Sequence, residues 1–416
     1  MHAVKTWNEA EIGGTPAGGD APVYAVIAAC VLENPVLALI NNFAFTLNAQ
    51  IVALVQLVIT LAAVAVIAWR RPRLNWIFVA AVLLFLFAVA VKFIVTASFN
   101  PRFVYDAAML PLFLVLGASA RRFSPRFLSF LLLALLITAV AELVFPDLYA
   151  AVLNPRKYFY YTRDWVAAVT APDASIASSA DIYLGSNRYT GSFFGASHRA
   201  GSLFLEPLSL GYFGIIAAIF FVHAPGLTLR RRALLIAGCV GLAVLSDTRV
   251  AVFLIAMAVL ARHAAAYVTK HGALVAPYLV LMAVAFLYFA LQTMPGDLGL
   301  RLGVTGEPLL QAMPLNILFG GVDDTKVADS GLIYLIANSG MIGFCVYPAL
   351  ASGVLLAEER PSPVAVSILF YILVALVFGY APMSIKTASV LGYGVATLSR
   401  LRDDRGACRG GVYAAG

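Results

Sequence analysis

Charge is scarce in this chain. Asp, Glu, Lys and Arg make up 12% of its 416 residues, where a soluble domain carries about 25%. That scarcity excludes an ordinary water-soluble fold. The formal net charge of +7 is too thinly spread for a nucleic-acid surface, so no nucleic-acid partner is expected. Cysteine is scarce too. Cys30, Cys239 and Cys345 lie in apolar runs and Cys408 in the C-terminal tail, none at metal-ligand spacing. No disulfide and no cysteine-bound metal is therefore expected, and the thiols read as small packing groups. The first residues, "MHAVKTWNEAEIGGTPAGGD", are polar and mixed in charge. They lack a basic stretch feeding a short apolar run, so no cleavable signal peptide is expected.

What the chain does contain is apolar length. It is 62% hydrophobic with a mean hydropathy of +0.90. A helix needs about 20 apolar residues to cross a bilayer. The runs predict helices near 22–45, 50–69, 75–97, 103–119, 127–146, 203–223, 233–246, 249–262, 273–292, 331–356, 363–381 and 385–400. The fold expected is all-α, a polytopic integral membrane protein of about twelve transmembrane helices forming one membrane domain over 1–416. The first helix is the weakest of these, because Glu33 and Pro35 interrupt it.

Lys and Arg set the expected orientation. Short clusters at alternate helix ends (Arg70, Arg71, Arg73; Arg121, Arg122, Arg126; Arg230, Arg231, Arg232), with Lys5, Arg262, Lys270, Arg360, Arg400, Arg402, Arg405 and Arg409, hold 17 of the 28 basic residues. These ends are expected to be cytoplasmic, with both termini on that side. Two long loops, 147–202 and 293–330, then fall on the outer face together with the short tip "SDTR" between two apolar runs. With neither disulfides nor a signal sequence expected, a bacterial inner membrane and a periplasmic outer face are the simplest assignment. The first loop is expected to form a small helical subdomain.

The outer segments hold the unusual residues. "YFYYTRDW" and "SNRYTGSFFG" combine aromatics with Arg188 and Tyr189. Such a mixture suits sugar rings and phosphate, or equally an interfacial anchor. In "HRAGSLFLEPLSLGYFG", Glu206 falls about a turn inside an apolar run, with Arg199 as its nearest candidate partner. A carboxylate at depth costs about 2.5–3.5 kcal/mol without a partner or water. Glu206 thus reads as half of a structural clamp or as an active-site acid, and His198 as a surface histidine or a ligand-binding one. In "VDDTKVADSGLIYLIANSGMIGF", Asp323 and Asp324 read as a turn, and Asp329 and Ser330 as N-caps, site residues or both.

The order of these pieces carries a resemblance. An Arg-Gly-Ser-type segment precedes a helix starting with Pro, followed by a short hairpin with "DTR" at its tip. Next comes a long loop with an early Arg301 and a late "PLNILFG", and last the "DSGLIYLIANSGMIG" run. Over about 190–345 this resembles the Wzy-type O-antigen polymerase and ligase superfamily, most of all the repeat-unit polymerases of xanthan-type exopolysaccharide clusters. The resemblance implies a glycosyltransferase acting on undecaprenyl-diphosphate-linked oligosaccharides in a lipid membrane, alongside a chain-length regulator and export proteins. Ligases of the superfamily carry His-Asn where this chain has Asp329 and Ser330, which favours a polymerase.

Such a transfer needs cations for the departing diphosphate and a base for the acceptor hydroxyl. No DxD-like metal pair stands out, so neither metal nor cofactor is expected. Arg199, Arg249 and Arg301 are expected to converge on the diphosphate, with Asp247 orienting Arg249 or solvated in the turn. Asp329 or Glu206 would serve as the base, and Arg188, Tyr189, His198 and Ser330 would line the substrate. The principal rival is a transporter or flippase. It shares the helix count, but the two halves show no internal repeat.

Overall fold

The computed structural model describes residues 19–163, 198–291, 297–322, 330–356 and 361–410. Every regular element among them is helical. In chain order these are α1 (Ala21–Phe43), α2 (Ala49–Arg70), α3 (Trp76–Thr96), α4 (Pro101–Ser119), α5 (Pro125–Val144), α6 (Pro146–Leu153) and α7 (Pro155–Thr162). A 3-10 turn at Ser202–Phe204 leads into α8 (Pro207–His223), α9 (Leu229–Leu245), α10 (Arg249–Ala264) and α11 (Lys270–Leu291). The last five are α12 (Asp297–Gln311), α13 (Pro314–Phe319), α14 (Gly331–Ala351), α15 (Pro363–Phe378) and α16 (Ile385–Gly410).

Local chemistry explains where the helices begin. Asn48, Asn75, Asn100, Ser124, Thr228, Ser330 and Ser362 each accept a backbone N–H of the first turn. Proline opens α4, α5, α8 and α15, where its missing N–H costs nothing. Among the described residues, seven helices (α1 to α5, α11 and α14) are long and apolar enough to cross a membrane. The apolar α8 and α15, at 17 and 16 residues, are shorter. At about 1.5 Å per residue they reach roughly 25 Å, short of the ~30 Å hydrocarbon layer. The all-helical architecture with several such helices is consistent with a polytopic membrane protein. Pro35 is accommodated inside an unbroken α1.

Lipid offers no hydrophobic drive between helices, so close packing and polar bonds hold the bundle together. Helix α8 is its axis, buried from Leu210 to Val222. At the α4–α16 crossing, a Cβ on Gly117 would lie 2.7 Å from the Gly392 carbonyl oxygen, so only glycine allows this approach. Several run boundaries differ from expectation: the helix expected over 385–400 continues to Gly410, that over 363–381 ends at Phe378, and that over 233–246 begins at Leu229, while two more differ for reasons of backbone conformation. Residues 203–206 are not part of α8, because Leu205 sits at φ +58° and Pro207 opens the helix afresh. The run 331–356 ends its α-helix at Ala351 and is broken within at Gly340 (φ +61°, ψ −170°).

The described basic clusters gather at one end. There the Arg121 amide donates to Asp20, and Arg232 and Arg262 donate to carbonyls at the C-terminus of α8. Phe123 joins the two groups, its ring 6.0 Å from Phe220 and 5.8 Å from Tyr393. The opposite end carries α6, α7, the 198–206 segment and the tip between α9 and α10.

Candidate functional site

The segment 198–206 is held down by buried polar groups from three helices. Glu142, fully buried near the end of α5, accepts the amides of Gly201 and Ser202 at 2.9 and 2.6 Å and faces His198 Nε2 at 3.0 Å. Tyr149 of α6 donates to the Ser202 carbonyl at 2.7 Å. Tyr158 of α7 donates to Asn34 of α1 at 3.2 Å, and Asn34 in turn donates to the Phe204 carbonyl at 3.1 Å. Burial pushes both phenols above their ordinary range, so they stay neutral donors. These bonds offset the left-handed backbone of Ser202 (φ +51°) and Leu205 (φ +58°), each costing about 1–3 kcal/mol. His198 is therefore a partly buried partner of Glu142, with its side chain 13% exposed, rather than a surface histidine.

Glu206 sits at the N-cap of α8 rather than inside the helix. Arg199, the expected partner, is not its partner. Arg163 pairs with Oε1, while Lys386 Nζ lies 3.1 Å and Ser209 Oγ 2.8 Å from Oε2. Arg163 ends α7, its guanidinium stacked 4.4 Å from the Phe159 ring centroid. Lys386, in the first turn of α16, is 5% exposed. Below it lies Glu33, buried in α1, which accepts Gln56 of α2 at 2.7 Å and lies within electrostatic reach of Lys386. Removing this buried lysine from water offsets much of the pairing energy, so the cluster fixes geometry more than it adds stability.

Arg199 turns instead to the hairpin tip, where its Nε donates to the Ser246 carbonyl at 3.0 Å. The Ala200 amide donates to Leu245 at 3.0 Å beside it. Thr248 packs so closely on α8 that a side chain at Gly211 would collide with it. Asp247, at φ +45°, is buried, which corrects its reading as a solvated turn residue. Arg249 opens α10 with its side chain exposed. The structure thus brings Arg199 to the tip that carries Arg249, while the densest charge lies around Glu206.

Ser330 caps α14 and receives the Thr305 hydroxyl at 3.0 Å. Arg301 lies one turn before Thr305 on α12, which brings its backbone to the same end; its side chain, and Arg188, Tyr189 and Asp329 entirely, lie outside the described residues.

A neighbouring wall adds groups that sequence reasoning passed over. Asp106 of α4 accepts the Tyr334 hydroxyl of α14 at 3.3 Å and lies 3.8 Å from Arg102. Tyr334 is fixed between Phe103, ring centroids 5.3 Å apart, and Tyr380, at 6.2 Å. Tyr380 and Arg102 are both within electrostatic reach of Arg163, and Asp106, Arg163 and Glu206 are each partly exposed, so the Asp106 wall and the Glu206 cluster lie in one solvent-facing polar region, the mouth. Among the described residues no group of three or more His, Cys, Asp or Glu could hold a metal ion. The arrangement can bind an anion and hold a hydroxyl-bearing ligand against carboxylates and tyrosines. Compared with family models, curated proteins and solved structures, the chain matches none of them.

Proposed function

We propose that this chain is a glycosyltransferase of the bacterial inner membrane, a polymerase that joins undecaprenyl-diphosphate-linked oligosaccharide repeat units at the outer face. The proposal takes the basic end as cytoplasmic, both termini included, and the twelve apolar segments as spans. One observation carries it: Arg163 and Lys386 converge on Glu206 at the same end of the bundle as Arg199 and the tip bearing Arg249. Cations fixed in place before reaction stabilise the charge that develops on a departing diphosphate, without the reorganisation water would need. Arginine adds a two-pronged grip on phosphate. Asp329 and Ser330, in place of a His-Asn pair, support polymerisation over ligation to a lipid core. A chain-length regulator and export proteins would act beside it.

Arg249→Ala is expected to reach the membrane at normal levels, because the side chain is exposed, and to lose polymer by about 10²–10³ in rate. Arg249→Lys is expected to rescue poorly. Polymer length distributions on gels check both; wild-type polymer from Arg249→Ala would overturn the assignment of Arg249. One observation favours a second reading, a transporter of lipid-linked sugars: Glu33 lies ten residues from the end of α1, roughly 15 Å deep. In a deletion strain, single lipid-linked repeats exposed on the outer leaflet support the polymerase, and repeats retained on the inner leaflet support the transporter.

A further inference from the structure

A polymerase must also take a proton from the acceptor hydroxyl, and the described carboxylates at this end differ sharply in their fitness to do so. Glu206 is held by two cations and a serine, so both of its oxygens are already engaged. Glu142 is fully buried and spends both oxygens on amides and His198. Glu33 is 3% exposed, deep in α1. Asp147 and Glu307 stand exposed on α6 and α12. Asp247 is buried in the hairpin tip.

Asp106 differs from all of these. Its side chain is 22% exposed, in the mouth shared with Arg163. Both of its contacts, the Tyr334 hydroxyl and Arg102 Nε, fall on Oδ2. The Arg102 contact is long, and that arginine is 80% exposed, so solvent screens its effect. Among the described residues Oδ1 makes no hydrogen bond. The Tyr334 ring, wedged between Phe103 and Tyr380, holds the carboxylate through Oδ2 and leaves the other oxygen without a hydrogen bond on a side chain that solvent reaches.

We infer that Asp106 is the general base of the transfer, its Oδ1 taking the acceptor hydroxyl's proton. This rests on the polymerase reading. The acceptor oxygen, as its O–H bond breaks, forms a bond to the anomeric carbon of the donor sugar. The bond from that carbon to the diphosphate oxygen breaks, and its electron pair leaves with the lipid diphosphate. The proton held by Asp106 then passes to water or to the released diphosphate. Tyr334 is the positioning residue.

The test uses the purified full chain in nanodiscs with lipid-linked repeats extracted from the deletion strain. Asp106→Asn, nearly the same shape and still able to accept from Tyr334, is expected to slow elongation by about 10²–10⁴ with little change in donor KM. Asp106→Glu should retain more activity than the Asn variant. Asp106→Ala should regain measurable elongation when formate or azide is added, a rescue that a structural role would not give. Elongation by Asp106→Asn within a few-fold of wild type would overturn the inference and leave the polymerase reading standing, as would a folded Asp106→Ala chain that neither formate nor azide rescues. Failure of the wild-type chain to elongate these repeats would overturn both.

Discussion

Glu142 shows how a single side chain can organise a segment far from it in sequence. Its carboxylate gathers two amides and an imidazole from residues 198–202, and hydrogen bonds to a charged group are worth about 1.5–3 kcal/mol each before desolvation. Glu142→Ala would leave those donors buried without an acceptor. We expect it to lower the unfolding free energy by roughly 3–5 kcal/mol, read as a fall in thermal midpoint in detergent, with Glu142→Gln between it and wild type. At this scale the sequence was only partly readable. Glu206 stood out because a carboxylate beside an apolar run needs a partner. Its partners could not be read, since Arg163 and Lys386 lie 43 and 180 residues away. Asp106, inside "PRFVYDAAMLPL", looked like an ordinary polar residue near a helix start, because the tyrosine that orients it lies 228 positions on.

Helices were far more readable than contacts, because a long apolar run states both its length and its solvent. The deviations came where backbone conformation overrode hydropathy. Helix α14 is the clearest case. Its glycines stand in plain view in "ANSGMIGF", but the break at Gly340 arises because α13 pushes its C-terminal end against that turn, with the Leu318 carbonyl where a Cβ would be. Gly340 adopts φ +61°, ψ −170°, a region open essentially to glycine alone. Gly340→Ala is therefore expected to destabilise the fold by at least about 1–3 kcal/mol and to loosen α13 from α14. Thermal unfolding together with hydrogen exchange over 314–345 would check this.

For the molecule as a whole, the two ends make an experimental prediction independent of chemistry. Arg102 stands 80% exposed at the end bearing the Glu206 cluster, while Arg71 follows α2 at the basic end. With Cys408 replaced by serine, Arg102→Cys should react with a membrane-impermeant maleimide in spheroplasts, and Arg71→Cys only after permeabilisation. Reversed labelling would put the polar mouth on the inside and remove the basis of the proposed reaction. The division into two ends was readable in the sequence because charged clusters alternate from loop to loop. The mouth itself was not, since it draws on α1, α4, α7, α8, α14 and α16 at once.

Lys386 carries a consequence for biogenesis. The ribosome delivers Glu33 and Glu206 long before the ammonium that sits 3.1 Å from one and within electrostatic reach of the other. Until α16 emerges, a nascent chain holds two acids in or beside the bilayer without that cation, a state that costs several kcal/mol or forces protonation. Docking of the later helix thus relieves that cost, completing at Glu206 a neutralisation that Arg163 begins.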